Sequence, residues 1–156
     1  MKRFLSLFGF VIFVFVVSIA KSAENNAKAE LTQSEQSALR GLKFYNAFEC
    51  SILASKAGDK SEQKRLYDLG IEEGRKFLKE LEEGKIKQSD ISATVPLVVM
   101  FSLGGPSHDF MLGRIFESAA NSVYRKFKEN GNDTDELRKM AAQAMLTERN
   151  SMLIGR

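Results

Sequence analysis

The stretch "TQSEQSALRGLKFYNAFECSILASKAGDKSE", residues 32–62, contains two helix starts and one helix stop. Thr32 followed by Glu35 has the form of a capping box, in which side chain and backbone at a helix start satisfy each other's free N–H groups. Asp59 and Glu62 repeat the pattern. Gly58, between them, is the residue that most readily takes the left-handed turn ending a helix. A helix from Thr32 to about Lys56 follows, with a second starting almost at once. At 100° per residue, Leu39, Leu42, Tyr45, Phe48, Ile52 and Leu53 fall on one broad apolar face of the first helix.

The same signals continue downstream. The second helix should run to Glu83, ahead of Gly84, with Leu66, Gly70, Gly74, Phe77 and Leu81 as its apolar stripe. The polar connector "KIKQSD" leads to a short helical turn near Ile91, and Pro96 suits the first turn of another helix. "LVVMFSL", residues 97–103, is apolar on every side, which predicts a short central helix covered by the others. After Gly104-Gly105-Pro106, Ser107 can cap a helix to about Lys128, with Asp109 in its first turn, where a carboxylate meets the positive helix end. Its expected stripe is Leu112, Gly113, Phe116, Ala120, Val123 and Phe127. "DTDE", residues 133–136, opens a last helix through about Glu148. No alternating strand pattern occurs. The expected fold is all-α, a single compact bundle of about five to six helices.

A glycine inside a helix costs about 1 kcal/mol against alanine. Gly70, Gly74 and Gly113 on core-facing stripes therefore predict close helix approach. "GRKF" (Gly74 to Phe77) and "GRIF" (Gly113 to Phe116) should each turn glycine and phenylalanine inward and leave an arginine at the rim.

The N-terminus addresses location. Met1-Lys2-Arg3 precedes the apolar run "FLSLFGFVIFVFVVSIA", and small residues follow at Ser18, Ala20 and Ser22, the layout of a secretory signal peptide. The expected organisation is a signal peptide over 1–22, a polar leader over 23–31 and the helical domain over 32–156. Retention of the first segment would instead tether the chain to a membrane, although the run is slightly short for a span of about 20 residues. The full chain has 23 Lys+Arg against 20 Asp+Glu. Cleavage after Ser22 removes Lys2, Arg3 and Lys21 and leaves 20 of each. The mature chain has no basic excess to suggest a nucleic-acid surface. Cys50 is the only cysteine, which excludes an intramolecular disulfide and favours a buried thiol over an intermolecular bridge.

Few residues invite chemistry. Glu49 sits mid-face on the first helix, where a carboxylate must be paired, hydrogen-bonded or protonated. A structural anchor is expected there, and a catalytic acid is the alternative. His108 is the only histidine, too few for a zinc site, and Ser107-His108-Asp109 are neighbours whose side chains diverge on a helix. An acid/base role for His108 with Glu49 is the alternative reading. "GGPSHDF" lacks phosphate-loop spacing and a preceding strand, and no cofactor is expected. Arg75 and Arg114 should cover apolar surface and pair with carboxylates such as Glu72, Glu117 or Glu49. Alternatively they grip a carboxylate or phosphate on a partner. "NDT", residues 132–134, matches a glycosylation acceptor and is equally explained by helix capping.

On "FYNAFEC" (44–50), "LGIEEGRKF" (69–77), "VPLVV" (95–99) and "GGPSHDFMLGRIFE" (104–117), the chain resembles a group of small uncharacterised exported all-helical proteins of Gram-negative bacteria. More distantly, it is similar to periplasmic helical immunity proteins that block cell-wall-degrading toxins. The first resemblance implies a second cysteine after an asparagine near the C-terminus, pairing with the one on the first helix. Here Ser151 follows Asn150, so that bridge is missing. The function expected is a periplasmic or secreted module that binds another envelope protein, through Arg75, His108, Asp109 and Arg114. A small envelope enzyme using Glu49 or His108 is the alternative.

Overall fold

The computed structural model describes residues 30–131 and 134–153. The expected signal peptide, most of the leader and the Asn132–Asp133 part of the glycosylation pattern lie outside the described residues. Among the described residues the helical domain has six helices, α1 (Gln33–Ala57), α2 (Lys60–Glu82), α3 (Gln88–Thr94), α4 (Leu97–Phe101), α5 (His108–Glu129) and α6 (Asp135–Leu153). No strand occurs among the described residues. The fold is all-α, and none of the described helices is long and apolar enough to cross a membrane.

Local chemistry sets the helix ends. Thr32 Oγ1 accepts from the Glu35 N–H at 3.3 Å, and the Glu35 carboxylate accepts from the Thr32 N–H at 2.8 Å. Gly58 closes α1 at φ 83°, a conformation that penalises any Cβ. Asp59 accepts from the Glu62 N–H at 2.9 Å and starts α2 immediately. With only Gly58 and Asp59 between them, α1 and α2 fold back as an antiparallel hairpin. Ser34, near the start of α1, donates to Asp90 and accepts from the Lys87 N–H at 2.8 Å, fixing the beginning of α3 against α1.

α1 is the central helix, in contact with α2, α3, α5 and α6. Its C-terminal half is therefore buried nearly all round, with Phe44, Ala47, Phe48, Cys50 and Ala54 fully inaccessible. Of the expected face, Tyr45, Phe48, Ile52 and Leu53 are buried, whereas Leu39 is exposed and Leu42 half-buried, and Ala38, Gly41 and Phe44 join the core from outside that face. A helix with neighbours on several sides buries more than one stripe, and α1 keeps a solvated side in its first half, at Gln33, Gln36 and Leu39.

The inner glycines permit close packing. A Cβ on Gly70 would stand 2.5 Å from the Phe48 ring, and one on Gly74 would stand 2.5 Å from Leu112 Cδ2. Gly41, outside the expected set, is equally tight, at 2.8 Å from Val95 Cγ2. Phe48 meets Phe44 and Phe116 edge-on, with centroids 5.9 and 5.4 Å away. Such crossed rings add favourable quadrupole contacts to the burial of their area.

Two expectations fail. α5 buries Leu112, Ile115, Ala119, Val123 and Phe127, and Gly113 lies outside that stripe, with nothing within 4 Å of where its Cβ would be. The shared "GRKF" and "GRIF" patterns therefore stand in different environments. α4 is not covered by the other helices: Val99 is buried, whereas Leu97 is 71 % and Phe101 80 % exposed. With five residues, α4 turns only one narrow side toward the domain.

Candidate functional site

The expected site residues belong to four separate arrangements. Glu49, 2 % exposed, accepts from Ser122 Oγ at 2.9 Å and from Lys126 Nζ at 3.2 Å. The anchor is thus a serine and a lysine of α5. Burial against a positive partner is the condition under which a carboxylate is tolerated inside a domain. Cys50, next to it, is fully buried, and burial above all, with help from Glu62 and against Arg65, pushes its thiol up to about 12. Such a thiol stays protonated and unreactive at neutral pH.

His108 opens α5, with Nε2 2.8 Å from a Glu82 carboxylate oxygen at the end of α2. It is not assembled with Glu49, because Ser122 and Lys126 hold Glu49 about 21 Å or more along α5 from His108. The acid/base pairing of these residues is excluded by that separation.

Arg75 and Asp109 are brought together. The guanidinium donates through Nε at 3.0 Å and through its second nitrogen at 3.2 Å to the two carboxylate oxygens, a bidentate clamp between α2 and α5. The hydrogen bonds from Arg75 hold the Asp109 carboxyl below its ordinary range, and those to Asp109 raise the Arg75 guanidinium. Arg114 points elsewhere, donating to the Gly104 carbonyl at 2.8 Å and bracing the loop before α5. The partners expected for the arginines, Glu72, Glu117 and Glu49, are thus replaced by Asp109 and a backbone oxygen. Backbone acceptors leave no mark in a pattern of charged residues.

The Arg75–Asp109 clamp closes one end of a groove of about 620 Å³ between α2 and α5. Tyr67 and Phe116, with ring centroids 5.3 Å apart and planes at 89°, close the other. Ile71 and Gly113 lie between these two rungs, and Asp68 and Glu72 stand on the α2 rim. Gly113 has no side chain to fill the space. Of the expected site residues, Arg75 and Asp109 line this groove, while His108 and Arg114 hold the corner beyond its end. Tyr67, Ile71 and Glu72 were absent from the expected binding set. For Tyr67 and Ile71 the signal was available in the i, i+4 row Tyr67–Ile71–Arg75, which faces one side of α2.

Glu73 is the other carboxylate that pattern reading missed. Almost buried, it faces Arg40 at 3.2 Å, Lys43 at 3.5 Å and Lys76 at 3.7 Å. Burial pushes its carboxyl up, but Lys43, Arg40 and Lys76 together outweigh that and hold it below the usual value. Among the described residues, no group of His, Cys, Asp and Glu side chains has a metal-holding arrangement. Compared with models of known protein families, with curated proteins and with solved structures, the chain matches none of them.

Proposed function

We propose that this chain is an exported helical module that binds another protein of the cell envelope, without catalysis. The observation carrying this reading is the exposure of Leu97 and Phe101, at 71 % and 80 %. They are four residues apart and share one side of α4, so a single partner surface covers both. Large exposed side chains placed together mark contact surfaces, and a buried aromatic anchor commonly supplies much of the binding energy. Phe110, also exposed, lies with its ring over Gly105 in the loop that joins α4 to α5. Arg114, His108 and Asp109 give the same corner a polar rim.

Site-specific photo-crosslinking in cells tests the reading. A photoreactive phenylalanine at position 101 should trap one defined envelope protein, and the same group at Arg125, an exposed position late on α5, should not. No adduct at 101, or the same adducts from both positions, overturns it. Export is checked by the mass of the mature chain: loss of residues 1–20 or 1–22 is expected, and an intact Met1 would mean that the N-terminal segment is retained as a tether.

A further inference from the structure

We propose that the groove between α2 and α5 seats a long cationic side chain, arginine or lysine, presented by the polypeptide partner. That assignment rests on the protein-binding reading and adds the chemistry of the bound segment. The floor is apolar, Ile71 on one side and bare Gly113 backbone on the other, and its length is bounded by the Tyr67–Phe116 and Arg75–Asp109 rungs. Three carboxylates line it, Asp68, Glu72 and Asp109, each paired with one cation, Lys64, Lys76 and Arg75 respectively. An apolar trough with carboxylates on its rim complements a side chain that has an aliphatic stem and a positive head.

The carboxylates are accessible for such an exchange. Asp68 and Glu72 pair outward with Lys64 and Lys76, each at 2.6 Å, in exposed pairs one turn apart on α2. Exposed pairs of this kind hold weakly and yield to a better-placed cation. Tyr67 offers its ring to the incoming head from a fixed position, since Phe48 and Phe116 pack against it.

Gly113 supplies the independent argument. Gly41, Gly70 and Gly74 each admit a neighbour of this same chain that a Cβ would strike, whereas Gly113 admits none. An exposed helix position occupied by the least favourable residue short of proline is explained when something from outside needs the space.

The test uses the full chain labelled with ¹⁵N and two blocked pentapeptides, Gly-Gly-Arg-Gly-Gly and Gly-Gly-Gln-Gly-Gly. The arginine peptide should shift the Gly113 amide resonance saturably, with a Kd on the order of 1 mM. The glutamine peptide, and guanidinium ion without a stem, should bind at least about fivefold more weakly. The double variant Asp68→Asn, Glu72→Gln should lose a similar factor, and Gly113→Leu, read at the Ile71 amide across the groove, should abolish the response with helical content unchanged. A still Gly113 resonance, equal responses to the peptides, or full binding by the double variant overturns the proposal. If crosslinking at Phe101 survives such a failure, protein binding stands and the cationic occupant does not.

Discussion

Gly74 on α2 and Gly113 on α5 begin the same short pattern, glycine–arginine–X–phenylalanine, yet meet opposite surroundings. At Gly74, Leu112 of the neighbouring helix lies where a Cβ would be; at Gly113 that space is open. The arginines diverge too, Arg75 clamping a carboxylate across helices and Arg114 bracing a loop carbonyl. The difference teaches that a helix pattern specifies a residue's neighbours along its own helix, whereas its function depends on what the next helix presents. An inner glycine is a packing device. An outer one leaves room.

The largest effect that would break this contrast is Gly70→Ala, in the same inner row as Gly74. The new methyl would overlap the rigid Phe48 ring, and forced overpacking of this kind costs about 1–3 kcal/mol, read from urea midpoints at constant slope. An unchanged midpoint would mean that the α1–α2 seam is looser than described. Gly113→Ala should act in the opposite direction, stabilising by about 1 kcal/mol through helix propensity alone. A loss of stability there would place a neighbour of this chain over Gly113 and remove the contrast.

A pH series sharpens the same comparison, because Glu73 belongs to the enclosed side of α2 and Asp109 to its open groove. The Glu73 carboxyl is held below its unfolded value by the surrounding cations, so its stabilising contribution is fully present above the ordinary glutamate range. It is lost as pH falls through the lower folded-state value. Glu73→Gln should therefore be less stable than the natural chain near pH 7, with the gap in urea midpoints shrinking toward pH 3. A gap that stays constant would contradict the charge assignment. The smallest effect belongs to Arg75→Gln: both partners of the clamp are exposed, and the melting temperature should barely move. A large drop would show that the clamp holds the helices together, beyond closing the groove.

Much of the fold was legible in the sequence because helix starts and stops are local. Thr32–Glu35, Gly58, Asp59 and Ser107 act within a few residues of themselves, and the helices begin and end where they indicate. Leu39, Gly113 and α4 were misread for one shared reason. Their exposure depends on which side of a helix meets a neighbour, and that is set by packing among α1, α2 and α5. Hydrophobicity alone would have covered Phe101. The site was half legible: Arg75 and Asp109 do meet, but Tyr67 and Ile71 gain significance only once Gly113 lies opposite them.

Glu49 in the seam between α1 and α5 has a mechanical consequence. Sliding α5 by one turn would carry the Ser122 and Lys126 donors about 5.4 Å away from that carboxylate, and would part Arg75 from Asp109 in the same stroke. The buried Glu49 contact sets the register of the helix, and the exposed Arg75–Asp109 pair forms where that register places it. If the trough takes a cationic side chain as proposed, its helical walls stand at their final spacing and only the exposed Lys64 and Lys76 side chains have to move aside, so the rate of capture should follow mainly the frequency of encounters.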